Sequence, residues 1–121
     1  MIVERCLRLR CSWTVFVRRG DVHTFRASRA EGDQQSGVRL AVILQSDAML
    51  PRSTVVVAAT SQSVRPASFR PVVRIGNEMT RVLVEQLAAV DVGRLGEKID
   101  HVSVEEMWAV DDALALVVGL Q

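Results

Sequence analysis

The chain has 121 residues, enough for one domain with a real core and too few for two. Apolar residues make up 49%, which excludes wholesale disorder, and aromatics only 4%, which argues against stacking nucleobases on aromatic platforms. The net charge of +1 hides a lopsided chain: residues 1–74 hold twelve Arg against five acids (+7), and residues 75–121 hold three basic residues against nine acids (−6).

Residues 1–17 are unlike the rest, mixing Arg and Cys with the short apolar run Trp13 to Val17. That run is too short to span a bilayer, and no small-residue cleavage site follows it. Residues 1–17 are expected to be an N-terminal extension, either an added strand, a disordered tail or translated upstream sequence, with the functional domain at 18–121. Cys6 and Cys11 have no His nearby at ligand spacing and make no zinc site. A reduced, cytoplasmic protein is the default expectation.

Arg18 to Ala27 reads as a strand, with Val22 and Thr24 on one side and Asp21, His23 and Phe25 on the other. Ser28 to Gly37 is a long polar loop carrying Arg29 and Gln34. Val38 to Gln45 reads as a buried strand that opens with a charge, Arg39. Thr54 to Ala59 is a second buried, β-branched strand, ending in Thr60-Ser61-Gln62. A Pro-bearing loop with Arg65 follows. Phe69 to Ile75 is expected as a short strand and Thr80 to Val90 as a longer one. Ser103 and Glu106 form a Ser-x-x-Glu capping box opening a helix. Met107, Val110, Leu114 and Val117 give that helix an apolar face, and Gly119 stops it. About five strands with one C-terminal helix predict a mainly β fold, a small antiparallel barrel capped by the helix.

No nucleophile elbow and no Gly-rich phosphate loop is present, and no ligand cluster asks for a metal or cofactor. The two histidines, His23 and His101, are expected in structural or exposed roles. What remains is an arrangement of strand ends. If the second and third strands are antiparallel neighbours, the start of one lies beside the end of the other. Arg39 and Thr60 then share one rim, beneath the loop of residues 28–37. A guanidinium and a hydroxyl there suit a phosphodiester. The plainer alternative is that Arg39 pairs with Asp33 or Asp47.

The blocks Arg18-Arg19-Gly20-Asp21-Val22, Gly37-Val38-Arg39-Leu40-Ala41-Val42-Ile43-Leu44-Gln45-Ser46-Asp47, Val55 to Gln62, Val84-Glu85-Gln86-Leu87, Val90-Asp91 and Arg94-Leu95 resemble successive blocks of the MazF/PemK toxins. The resemblance runs from about Arg18 to the C-terminus. It implies an SH3-like barrel, a homodimer and an endoribonuclease that cuts single-stranded RNA at short sequences without a metal. It implies a cognate antitoxin whose disordered tail covers the RNA groove. It places the catalytic pair on Arg39 and Thr60. Arg29, Gln34, Gln62 and Arg65 are the expected RNA contacts. The chain departs from the family pattern at Leu40, where proline is usual, at Gln34, where an acid is usual, and at His23, where an aromatic is usual. A CcdB-like inhibitor of gyrase shares the barrel, but the Arg39 and Thr60 blocks argue against it. A plain SH3-like binding module, docking through its basic half, is the third reading.

Overall fold

The two uninterrupted apolar runs become the two central strands of one antiparallel sheet, buried on both faces. The computed structural model describes residues 17–26, 38–49 and 53–120. The strands are β1 (Asp21–Arg26), β2 (Val38–Ile43), β3 (Thr54–Ser61), β4 (Val72–Ile75), β5 (Glu78–Val82), β6 (Ala88–Asp91) and β7 (Leu95–His101), followed by helix α1 (Val104–Val118). Their order is β4-β5-β3-β2-β1-β7, with β6 also paired to β3. β3 therefore has three partners. It faces β2 on one edge, and on the other it meets β6 along Thr54 to Val57 and β5 at Thr60 and Ser61. This change of partner curls the sheet into a half-barrel.

Alternation along β2 and β3 feeds two cores. Val42, Leu44 and Ala58 turn toward α1, where Val110 and Ala113 close the cluster. Ala41, Ile43, Val55 and Val57 turn the other way, onto Phe25, Val90 and Leu95. Burial on both faces is why the two segments read as continuous apolar runs rather than as alternating ones. Each fully buried Val, Leu or Ile contributes about 1.5–3 kcal/mol relative to exposure.

The helix follows its sequence signals. Ser103 accepts from the Glu106 amide, Glu106 returns a bond to the Ser103 amide, and Gly119 takes the left-handed C-cap with φ 77. Met107, Leu114 and Val117 pack on the core beside Val110. Asp111, on the outer side of the helix, pairs with Arg19 at 2.6 Å.

Three expectations are corrected. Phe69 to Pro71 are not part of the expected strand: a turn closes with the Arg70 amide on the Ala67 carbonyl, and Pro71, which has no amide of its own, delays β4 to Val72. Thr80 to Val90 is not one strand. β5 ends at Val82, a 3₁₀ turn spans Val84–Gln86, and β6 begins at Ala88. The turn forms because Val84 is drawn into the core while Glu85 is held by Arg70. β7 had no sequence signature. Its residues Gly96 to Ile99 are exposed, and pairing with β1 makes it a strand. The described residues thus hold seven strands rather than five. Residues 1–16, with Cys6 and Cys11, and the loop of residues 27–37 lie outside the described residues.

A buried carboxylate ties the start of β1 to β7. Asp21 accepts from the Arg18 amide at 3.0 Å and meets His101 Nδ1 at 2.7 Å and Lys98 Nζ at 3.4 Å. Gly20 makes the approach possible, with φ +92 and no room for a Cβ beyond 3.1 Å from the His101 ring. Burial alone would raise the Asp21 pKa, but the bonds from His101, Arg18 and Lys98 outweigh it and hold the carboxyl below its ordinary value. The stabilisation is therefore present above the unfolded aspartate value of about 3.9 and is lost as pH falls through the lower folded value. Asp21→Asn should lower stability at pH 7, and urea titrations at successively lower pH should show the gap to wild type shrinking below about pH 4.

Candidate functional site

The rim where β2 begins and β3 ends carries the site. β1 sets Phe25 opposite Arg39, and the β2–β3 register sets Ala41 opposite Ala59. Arg39 and Thr60 therefore meet. Arg39 Nη2 donates to the Thr60 carbonyl at 3.3 Å, and Thr60 Oγ1 donates to the Leu40 carbonyl at 3.3 Å. Thr60 is buried and Arg39 half-buried. A guanidinium has five N–H donors, so this one bond leaves most of its fork available.

An open groove of about 420 Å³ runs past the pair. β2 and β3 supply Arg39, Leu40, Thr60 and Ser61 to its lining. The β4–β5 hairpin supplies Ile75, Gly76, Glu78 and Thr80, with Ile99 from β7. The hairpin is held in place through its backbone. The Gly76 amide donates to Asp100 Oδ2 at 2.7 Å, and the Arg74 amide donates to Glu106 Oε2 at 2.8 Å. The Gly76 and His101 amides lower the Asp100 pKa, so Asp100 keeps its charge and its grip across the neutral range.

Several other arginines on the described residues are occupied. Arg19 spans the Leu44 carbonyl and Asp111, Arg70 pairs with Glu85 at 2.8 Å, and Arg94 grips the Arg26 carbonyl twice while lying 5.0 Å from the Phe25 ring centroid. Arg39 has no carboxylate partner among the described residues. Asp47 accepts from the Arg19 amide instead, which removes it as the partner of Arg39. Asp33 lies outside the described residues.

Of the expected RNA contacts, Gln62 lines the groove, and its Nε2 donates to Glu78 Oε1 at 2.7 Å. Arg65 does not reach the groove lining. It is exposed on the β3–β4 loop, where its carbonyl accepts from Arg70 Nη1. Arg29 and Gln34 lie outside the described residues. His23 is buried with Nδ1 on the Gly96 carbonyl at 3.1 Å, and His101 serves Asp21, so neither lines the groove. Ser61, Glu78 and Thr80 were missed by sequence reasoning. The Gly76-Asn77 turn marks the hairpin, but only the curl of the sheet brings it to this groove.

A family model described as the PemK-like, MazF-like toxin of type II toxin-antitoxin systems matches residues 18–118. The chain belongs to this toxin family. The endoribonuclease MazF of Staphylococcus epidermidis is 36% identical over 111 residues, spanning 86% of this chain and 92% of its own. A mycobacterial endoribonuclease in complex with its cognate antitoxin has a similar fold, with a TM-score of 0.72 at 19% identity over 88% of this chain and 98% of that one. MazF of Deinococcus radiodurans also gives a TM-score of 0.72, at 17% identity over 85% of this chain and 96% of its own. At such identities the likeness to solved structures is one of fold.

In this MazF-like fold the Thr60 hydroxyl makes one bond, so its loss should leave the framework standing. Thr60→Val should cost about 1 kcal/mol or less by urea denaturation and keep the wild-type circular dichroism spectrum.

Proposed function

We propose that this toxin cleaves single-stranded RNA with Arg39 and Thr60, without a metal, at short sequences. The observation that supports this most is the bond from the Arg39 guanidinium to the Thr60 carbonyl beside an open groove, with no acid on Arg39 among the described residues. The RNA's own 2′-oxygen attacks the adjacent phosphorus. The O2′–P bond forms as the 2′-hydroxyl gives up its proton to water, the P–O5′ bond breaks, and the leaving O5′ takes up a proton from water, so no net proton is consumed. The products are a 2′,3′-cyclic phosphate and a 5′-hydroxyl. Charge grows on the phosphoryl oxygens as the bonds exchange. Arg39 is placed to stabilise that charge with a forked contact, and Thr60 to hold a phosphate oxygen or the 2′-hydroxyl. Because the Arg39 fork is already oriented by the Thr60 carbonyl, little reorganisation is needed at the moment of reaction.

The toxin acts in the cytoplasm, on messenger RNA, and thereby arrests translation and growth. No helix of the described residues is long and apolar enough to cross a membrane. The working unit is a homodimer. The exposed stripe of Val104, Trp108 and Leu116 along α1 supports a surface for a second copy. A cognate antitoxin silences the enzyme by laying a disordered tail over the groove.

Arg39→Ala should abolish cleavage of a long RNA while the protein stays folded and dimeric by circular dichroism and size exclusion. Thr60→Val should slow cleavage about 100- to 1000-fold, the usual loss for one donor to a developing oxyanion. Wild-type cuts should persist in EDTA and leave 5′-hydroxyl ends. Full activity in Arg39→Ala would end this assignment.

A further inference from the structure

Glu78 is the one acid lining the groove among the described residues. It opens β5, is exposed, and accepts at Oε1 from Gln62 Nε2 at 2.7 Å. The same Nε2 reaches the Met79 carbonyl at 3.5 Å. A carboxylate only accepts at neutral pH, so the Gln62 amide must present its nitrogen to Glu78 and keep its oxygen for other partners. The pair is therefore rich in acceptors.

Such a pair is misplaced for a phosphate. Two like charges 4 Å apart repel by about 1 kcal/mol in water and by several times that at a protein surface. The phosphodiester backbone belongs on the Arg39 and Thr60 side. The hairpin side is left for a base, whose faces can rest on the apolar lining of Leu40, Ile75 and Ile99. Single-stranded RNA exposes base edges to this kind of contact. An acceptor pair selects an edge that presents N–H groups. Adenine, cytosine and guanine each carry an exocyclic amino group. Uracil has a single N–H flanked by two carbonyls, which would face Glu78 and the Gln62 oxygen unfavourably.

We propose that Glu78, held by Gln62, reads one base near the cut and selects a base with an exocyclic amino group over uracil. This rests on the groove being the RNA site. The test is cleavage mapping on a long single-stranded RNA by the wild type, E78Q and Q62A, with kcat/KM measured on matched oligonucleotides that differ at the position concerned. Wild-type sites should hold an amino-bearing base at one fixed position. E78Q supplies an N–H and loses the charge, so uracil should become acceptable there, and the preference should fall about tenfold, the usual worth of a hydrogen bond to a charged group. Q62A frees the carboxylate and should loosen the same position while the rest of the motif holds. Identical motifs and ratios in all three proteins would overturn the role of Glu78 and leave that of Arg39 standing. Wild-type sites that take uracil freely at every position would also overturn it. A wild type that cuts no RNA would overturn both.

Discussion

The register of β2 against β3 is the constraint on which the site depends. It sets Ala41 opposite Ala59 and Ile43 opposite Val57, and so carries Arg39 and Thr60 to one rim. In a sheet with one wet face, a slip by one residue would expose the core and be rejected for that reason. Here both faces of the two strands are apolar, so alternation alone discriminates weakly. Polar groups at the two ends do the pinning. At the far end the Gln45 side chain accepts from the Val56 amide, and the Leu44 amide donates to the Val56 carbonyl. At the near end Arg39 and Thr60 bond across to each other's strands. Apolar burial supplies most of the stability, and these few bonds of about 1 kcal/mol each choose the alignment.

Among the described residues, ion pairs join the basic front of the chain to its acidic back. Arg19 and Arg70 come from the basic front, and their partners Asp111 and Glu85 come from the acidic back. Asp21, an acid of the front, is answered by Lys98 and His101 from the back. Neutralisation between the two halves stitches β1, the β2 end, the 3₁₀ turn and α1 together. Among the described residues, Arg39 differs from these arginines because its position at a strand end on a groove matches it with a carbonyl rather than with an acid. Among the described residues, Arg39 is the guanidinium that lines the groove.

What was legible in the sequence was whatever local chemistry determines. The capping box at Ser103 and Glu106, the stop at Gly119 and the two doubly buried strands are written in short windows of residues. The meeting of Arg39 and Thr60 needed only one further assumption, that adjacent strands pair. What was not legible depended on distant partners. β7 has almost no apolar pattern and is a strand because β1 offers it an edge. The break at Val84–Gln86 follows from the burial of Val84 and the ion pair of Glu85, neither of which periodicity reveals. Glu78 carries no local signal, and reaches the groove only because the curl of the sheet brings the β4–β5 turn against Asp100.

Leu40 shows how little of the Arg39 and Thr60 geometry rests on the side chain next to Arg39. The Thr60 hydroxyl bonds to the carbonyl of that residue, and proline has the same carbonyl. Exchanging the family's usual proline for leucine therefore leaves the acceptor in place. What changes is the neighbourhood. Leu40 packs against the helix-side core, lines the groove and restores a backbone amide that proline lacks. Arg39 keeps its aim because strand pairing, rather than a rigid ring, holds the backbone at β2. The departure at Leu40 thus falls on the apolar lining of the groove and spares the contact between Arg39 and the Thr60 carbonyl.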